Sequence, residues 1–143
     1  MKPEVAIIGG GACAIFLANQ IDTNLFAVTV YEKNDSIARK FLVAGQGGLN
    51  LTHSEAPEKF LNRYTPSEFI KPAFLRYSNV GFRDWLQNCG IETKVGSSGR
   101  VFPAGTLKPV QVLEILKKRA EDRGVIFKYK HEWKGFDANK SLI

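Results

Sequence analysis

Three consecutive glycines and one acidic residue are the part of this sequence whose types and spacing could do chemistry. Gly9, Gly10 and Gly11 directly follow an apolar run and precede a helical pattern that begins at Ala12. Glu32 follows about 20 residues later, at the end of a second apolar stretch. A glycine turn between strand and helix can hold a pyrophosphate, and an acid at this spacing can accept hydrogen bonds from ribose hydroxyls. The pattern therefore predicts a dinucleotide-binding site.

Each position in this motif has its own physical role. We expect Gly9 to permit the sharp turn out of the strand, and Gly11 to leave room for phosphate oxygens. Ala14 occupies the third position, where a small residue lets helix and strand pack closely. A carboxylate at Glu32 would accept both ribose hydroxyls and repel a 2′-phosphate, whereas Lys33 beside it could pair with one. The alternative is a glycine-rich turn in another α/β fold, with Glu32 as a solvated strand end.

A long stretch rich in glycine and polar residues follows the second predicted strand, over residues 34–54. Compact domains seldom keep so long an irregular segment without a function for it, and the alternative is a surface loop with a few turns. Two basic residues supply positive charge soon after the acid. Glycines further along would let the backbone approach a ligand, with polar side chains beside them. These residues are Arg39, Lys40, Gly45, Gly47, Gly48, Asn50, Thr52 and His53.

The periodicity of apolar residues predicts the elements that carry these groups. Strands are predicted over 5–8, 27–31, 91–95 and 125–129, and helices over 12–22, from 65 onward, over 78–89 and over 109–123. The order is β-α-β, then a mostly helical insertion over about 55–105, then α-β. This order predicts an α/β fold with a parallel sheet, in which the second and last strands lie on one side of the first. Strands for the other side are not found, so the domain is expected to be incomplete.

Local signals set the ends of the helices in the insertion. The range Thr65–Glu68 reads TPSE and matches a capping box with proline in the first helical position. That helix should be short or kinked because Pro72 follows. Ser78 is expected to cap the next helix, whose apolar stripe is expected to be core rather than a cofactor contact. The stripe consists of Phe82, Trp85, Leu86 and Cys89.

The length and charge of the chain limit the classes of function. Its 143 residues suggest one domain with a real core, and its net charge of +6 favours anionic ligands. Nucleic acid is not expected as a partner, because the basic residues are scattered and the densest group stands among acidic residues. No apolar run is long enough to span a membrane and the start does not match a signal peptide, so a cytoplasmic protein is expected. Two distant cysteines without metal-ligand spacing predict no metal site.

Taken together, four motifs resemble one bacterial family of flavoproteins. They are IIGGGACA, VYEKN, ARKFLVAGQGGLNLTHSE and GSSGRVFP. Over nearly the whole chain, the sequence resembles the NAD(P)/FAD-dependent oxidoreductases, the group that includes the bile-acid-inducible flavoprotein BaiN. The resemblance implies that residues 1–143 are the N-terminal part of a Rossmann-like FAD/NAD(P)-binding domain, interrupted by insertions and holding FAD non-covalently. Ala14, Ala38 and Gln46 depart from the usual family residues, and a positive φ at Ala38 would strain the loop by about 1–2 kcal/mol.

The resemblance also implies roles for individual residues. The glycine turn would hold the pyrophosphate, the acid would hold the ribose, and the second glycine-rich motif would lie near the flavin. Backbone groups at His131 and Glu132, after the last strand, would bind adenine. The matching segment of Gly99, Arg100 and Pro103 receives no role. The predicted cofactor-binding residues are Gly9, Gly11, Ala14, Glu32, Lys33, Arg39, Lys40, Gly47, Gly48, Asn50 and Thr52.

The first functional hypothesis is the N-terminal FAD-binding portion of a flavin-dependent oxidoreductase, with NAD(P)H as a candidate electron donor. Because family members are several hundred residues long, we expect the isolated chain to bind FAD poorly and to lack full activity. The first alternative is a non-catalytic, truncated dinucleotide-binding module that self-associates through its open sheet edge. The second is an NAD-binding dehydrogenase, which would not need the second glycine-rich loop. No catalytic residue is assigned, since His53 is either an acid or base near the flavin or a loop histidine satisfied by its neighbours.

Overall fold

The computed structural model describes residues 1–43, 48–141 and 143, which form two compact units. The terminal unit combines Met1–Val43 with Leu113–Ile143, and the inserted unit is formed within Ala44–Val112. Each unit has its own three-stranded sheet. In chain order the elements are β1 (Glu4–Ile8), α1 (Ala12–Gln20), β2 (Ala27–Glu32), α2 (Arg39–Val43), β3 (Thr52–His53), α3 (Pro57–Leu61), α4 (Ser67–Arg76), α5 (Asn79–Asn88), β4 (Thr93–Val95), β5 (Arg100–Pro103), α6 (Pro109–Asp122) and β6 (Ile126–Tyr129).

The sheet of the terminal unit is parallel and has the strand order β1-β2-β6. Its register places Ile8 beside Tyr31 and Glu32 beside Tyr129. The predicted α/β fold is confirmed, and so is the placement of the second and last strands on one side of the first. No further strand lies beside β1 among the described residues. Self-association through this edge stays a prediction.

Helices α1 and α6 pack against one face of this sheet. The buried contact joins Ala18 of α1 and Ala120 of α6, both with no exposed surface, to alternate residues of β1 and β2. Small side chains at these two positions let the helix backbones approach the strands. A buried polar group also links the two helices: Asn19 Nδ2 donates to Ile15 O at 2.9 Å and to Leu116 O at 3.0 Å. Because α1 begins four residues after the end of β1, its start lies at the carboxyl end of that strand.

Among its described residues, the inserted unit contains the helices α3, α4 and α5 and an antiparallel sheet of strand order β3-β5-β4. Thr52 of β3 lies opposite Val101, and Lys94 of β4 lies opposite Phe102. Helices make up most of its regular structure, as expected for this segment. The pairing of β3 with β5 was not predicted, because a two-residue strand carries no periodic signal.

Two predicted helix starts have different outcomes. The capping box at Thr65 is wrong: Pro66 has extended backbone angles and takes the N-cap position, so α4 begins at Ser67 without a side-chain cap. The helix continues past Pro72, which lies in its interior. The cap at Ser78 is confirmed, since Ser78 Oγ accepts a hydrogen bond from the backbone N–H of Gly81 at 3.1 Å. In the stripe of α5, Leu86 and Cys89 are buried, whereas Phe82 and Trp85 are half-buried and stacked.

Two features are absent from the part of the chain that the structure describes. No helix there is both long and apolar enough to cross a membrane. No group of three or more His, Cys, Asp or Glu side chains there is arranged to hold a metal ion.

Candidate dinucleotide-binding site

Gly9 makes the turn out of β1. Its φ is +90°, a conformation in which a residue with a β-carbon is strained by about 1–2 kcal/mol. Its N–H donates to Tyr31 O at 2.7 Å, which ties the turn to the end of β2. No described atom lies within 4 Å of a β-carbon built on Gly9, so the requirement for glycine is conformational rather than steric.

Gly10 is a packing residue that sequence reasoning did not assign. A β-carbon here would overlap Ile37 Cγ2 and lie 3.2 Å from Glu32 Oε2. The Gly10 N–H donates to Glu32 Oε2 at 2.8 Å, and Gly10 O accepts from the N–H of Ala38 at 2.8 Å. The backbone of Gly10 therefore joins the turn to Glu32 and to the segment before α2. The sequence signal was its place in an unbroken run of three glycines.

Gly11 is the N-cap residue of α1 and faces open space. No described atom lies within 4 Å of a β-carbon built on Gly11. Its carbonyl oxygen accepts the first hydrogen bond of the helix, from the N–H of Ile15 at 3.1 Å. The N–H groups before Ile15 therefore have no acceptor within the helix. These donors and the helix dipole favour an anion at this end of the nine-residue α1.

The two residues after the first helical position face different surroundings. Cys13 is an exposed free cysteine at the mouth of the turn. Ala14 is half-buried and packs against the core of the terminal unit, which places its methyl group between helix and sheet. A small residue at Ala14 is thus consistent with close helix–strand packing.

Glu32 is a buried and ionised hydrogen-bond acceptor, 9% exposed. Its Oε1 accepts from the N–H of Asn34 at 2.8 Å and from Asn34 Nδ2 at 2.6 Å, while Oε2 accepts from Gly10. Burial raises the pKa of this carboxyl, but the hydrogen bonds from Asn34 and Gly10 and the charge of Lys33 outweigh it and leave the pKa below its ordinary value. The acid therefore carries its negative charge at neutral pH.

Ala38 has a φ of +53°, so the condition for strain at this departure from the family pattern is met. The residue is buried, and its hydrogen bond to Gly10 holds the conformation. The next two residues, Arg39 and Lys40, begin the short helix α2 and are exposed. The strained turn thus directs both basic residues to the region in front of Gly11.

These groups line one open cleft of about 530 Å³. Of the predicted cofactor-binding residues, the cleft brings together Gly11, Glu32, Arg39 and Lys40. Lys33 does not line it, and Lys33 Nζ lies 4.0 Å from Glu132 Oε1 in an exposed ion pair. The full lining consists of Gly10, Gly11, Ala12, Cys13, Glu32, Ser36, Ala38, Arg39, Lys40 and Phe41.

The residues predicted to contact adenine lie after β6. The backbone N–H of His131 donates to Glu32 O at 3.0 Å, which fixes this segment beside the end of β2. The ring of His131 lies 6.0 Å from the ring of Tyr31. Both line a second cavity of about 210 Å³, together with Ile8, Glu132, Trp133 and Ile143.

The second glycine-rich motif belongs to the inserted unit. Gly48 has a φ of +103°, and a β-carbon there would lie 3.4 Å from the Phe102 ring. Asn50 is exposed, and Thr52 is half-buried at the start of β3. Gly47, also predicted to bind the cofactor, lies outside the described residues.

His53 has partners at both ring nitrogens. Its Nε2 lies 3.1 Å from Ser98 O, and its Nδ1 accepts from the N–H of Glu55 at 3.2 Å. A β-carbon on Gly99 would come within 2.7 Å of the ring, and Gly99 has a φ of +77°. The geometry favours a structural histidine that holds β3 to the turn before β5, which gives Gly99 a packing role.

Comparison with known proteins places this geometry among its relatives. A family model described as the HI0933-like protein Rossmann domain matches residues 3–143. A curated protein of Haemophilus influenzae named ribosomal RNA dihydrouridine synthase is 32% identical over 122 residues, which is 85% of this chain and 29% of that protein. The chain thus spans less than a third of this relative.

Two solved structures share the fold over 99% of this chain. THI4 from Thermovibrio ammonificans has a TM-score of 0.59 at 14% identity, and the match covers 45% of that chain. The 3-ketosteroid-delta4-(5alpha)-dehydrogenase from Rhodococcus jostii RHA1 has a TM-score of 0.57 at 14% identity, over 41% of that chain. These likenesses confirm the Rossmann-like α/β fold. Because the family model covers nearly the whole chain, this protein belongs to the HI0933-like protein Rossmann domain family.

Proposed function

We propose that this chain binds FAD and is the N-terminal FAD-binding portion of a flavin-dependent oxidoreductase. The observation that carries the proposal is the single cleft that gathers the start of α1, the ionised Glu32 and the cations Arg39 and Lys40. Donors for a pyrophosphate, an acceptor for ribose hydroxyls and positive charge for phosphate oxygens are the three requirements of a dinucleotide.

Residues of the cleft fit the parts of the cofactor. The first N–H groups of α1 would hold the pyrophosphate, and the absence of a side chain on Gly11 leaves room for its oxygens. Arg39 and Lys40 would neutralise the phosphate charge, and Glu32 would accept a ribose hydroxyl. FAD, when bound, supplies hydride acceptance and delivery at its flavin, with NAD(P)H proposed as the electron donor.

An NAD-binding dehydrogenase would use the same glycine turn and acid, so other residues must favour FAD. The motifs GGLNLTHSE and GSSGRVFP resemble those of FAD-binding flavoproteins, and a simple NAD site does not need them. In this chain the described parts of the two motifs pair as β3 and β5. This pairing supports a shared role for the two segments.

A finer proposal concerns the reaction of the larger protein in which such a domain acts. The Haemophilus influenzae relative is named for making dihydrouridine in ribosomal RNA, and it shares 32% identity with this chain. We propose reduction of a uracil C5–C6 double bond, with one hydride and one proton added, as a candidate activity. Loss of dihydrouridine from ribosomal RNA after deletion of the gene, measured by mass spectrometry of nucleosides, tests it. Unchanged dihydrouridine content would exclude it.

A flavin titration tests the FAD proposal. FAD is added to the purified chain while flavin fluorescence and the amide spectrum of the protein are followed, with NAD⁺ and NADP⁺ in parallel. The Arg39→Ala/Lys40→Ala double variant should bind FAD at least about tenfold more weakly, because two phosphate-facing cations are lost. Lys71→Ala, which removes an exposed cation of α4 in the inserted unit, is the control and should bind as the parent does. Tighter binding of NAD⁺ than of FAD, or no binding of FAD, would refute the proposal.

A further inference from the structure

The carboxylate of Glu32 has little free capacity for a ribose. A carboxylate offers about four lone-pair sites, two on each oxygen. Oε1 accepts from the backbone N–H and from Nδ2 of Asn34, and Oε2 accepts from Gly10. One site remains, on Oε2. The expectation that this acid accepts both ribose hydroxyls therefore does not fit the structure, and the second hydroxyl needs another acceptor.

The side chain of Asn34 carries a further acceptor next to this carboxylate. Its Nδ2 donates to Glu32 Oε1 at 2.6 Å, which holds the side-chain amide beside the carboxylate. In the part of the chain that the structure describes, no hydrogen bond is made to Asn34 Oδ1. Asn34 is half-buried, and its carbonyl oxygen accepts from the N–H of Lys130 at 3.0 Å. The backbone and the amide nitrogen are thus both fixed, while the amide oxygen is free to accept.

We propose that Asn34 is a second ribose-recognition residue, whose Oδ1 accepts one hydroxyl of the adenosine ribose while Glu32 Oε2 accepts the other. The inference rests on the dinucleotide function proposed above and deepens it. Two acceptors side by side, one of them anionic, select a ligand that brings two donors. A 2′-phosphate brings negative charge and no donor at neutral pH, so the pair also favours FAD over a 2′-phosphorylated dinucleotide.

The competing interpretation gives the Asn34 side chain only a positioning role, in which its Nδ2 group orients Glu32. Loss of the side chain would then weaken every ligand that uses Glu32 by the same factor. Direct recognition predicts a different result. The variant should then lose affinity only for ligands that carry the ribose hydroxyl bound by Asn34. A thermodynamic cycle that combines protein variants with deoxy ligands distinguishes the two interpretations.

The probes are ADP, 2′-deoxy-ADP and 3′-deoxy-ADP, titrated into the full chain and followed by amide chemical shifts. Wild type should bind each deoxy ligand about fivefold to tenfold more weakly than ADP. Asn34→Leu keeps the branching of the side chain and removes its amide group, and it should weaken ADP by a similar factor. One of the two deoxy ligands should bind wild type and variant equally well. Asn34→Ala gives the same comparison if the leucine variant does not fold.

A matched control uses the next residue. Asp35 is exposed and, among the described residues, donates no hydrogen bond to Glu32, so Asp35→Ala should change all three affinities by a common small factor. An equal loss for all three ligands in the Asn34 variants, or no loss, would overturn direct recognition while ADP binding by wild type upholds the dinucleotide site. A wild-type chain that binds neither ADP nor FAD would overturn the proposed function and this inference together.

Discussion

Replacement of Glu32 by glutamine is the sharpest test of the cleft's internal bonding. The side chain keeps its size but has one oxygen and one NH₂ group in place of two oxygens. In the wild type, the N–H of Gly10 donates to Glu32 Oε2 at 2.8 Å. If the glutamine oxygen keeps the two hydrogen bonds from Asn34, the glutamine nitrogen faces the N–H of Gly10, and two donors then meet. A buried donor left without an acceptor costs about 1–3 kcal/mol. We expect Glu32→Gln to lower the free energy of unfolding by that amount at pH 7.

The pH dependence of stability provides an independent test of the same argument. The folded-state pKa of Glu32 lies below the ordinary value of 4.5, so its ionised form stabilises the fold above the unfolded-state pKa. That contribution disappears as the pH falls through the folded-state pKa. The difference in unfolding free energy between wild type and Glu32→Gln should therefore be full at pH 7 and shrink below about pH 4.

Urea unfolding across this pH range measures both effects, and amide exchange at Gly10 provides a local measurement. Exchange of that amide should be faster in the variant, because its acceptor is lost. Glu114→Gln makes the same chemical change at an exposed position of α6 and should alter stability by less than about 0.5 kcal/mol. Equal stability of wild type and Glu32→Gln at pH 7, or a difference that persists in acid, would refute the reasoning.

Contacts around single glycines and the exposed thiol give three further predictions. Gly10→Ala should lower the free energy of unfolding by about 1–3 kcal/mol, whereas Gly11→Ala, in open space, should change it by less than about 1 kcal/mol in urea. Gly99→Ala should lower the melting temperature more than Gly90→Ala, because both have positive φ but only Gly99 also faces a side chain; equal losses would contradict the steric argument. Labelling of Cys13 by a thiol reagent, followed by mass spectrometry, should slow when FAD is bound. Labelling that is unchanged at saturating FAD would place the cofactor elsewhere.

The parts of the fold that the sequence predicts are those with a local periodic signal. The apolar runs before Gly9 and before Glu32 form the strands β1 and β2, and handedness rules then place β2 and β6 on one side of β1. The cap at Ser78 is predicted because one side chain reaches the next turn. The predicted cap at Thr65 is wrong because the same residues allow the helix to begin one position later, with Pro66 as the N-cap residue.

The parts of the site that the sequence does not predict are contacts between distant residues. Spacing predicts Glu32 as the candidate ribose-binding acid, but it does not indicate that Asn34 and Gly10 occupy most of its lone pairs. Likewise, the close approach of Ile37 explains the second glycine of the turn, and no local pattern connects the two. Such contacts depend on the path of the loop in three dimensions, and the periodicity of apolar residues along the sequence does not encode that path.

The Gly10 peptide has a consequence for the rates of cofactor exchange. Because Glu32 and Ala38 are already hydrogen-bonded to the Gly10 backbone, these parts of the cleft are in position before a ligand binds. Little conformational entropy is then lost when the ligand enters, and association depends on encounter rather than on rearrangement. Loss of an exposed charge such as Lys40 should mainly slow capture, and the capture rate should fall as salt is raised. Loss of the buried acceptor at Glu32 should instead shorten the residence time of the cofactor.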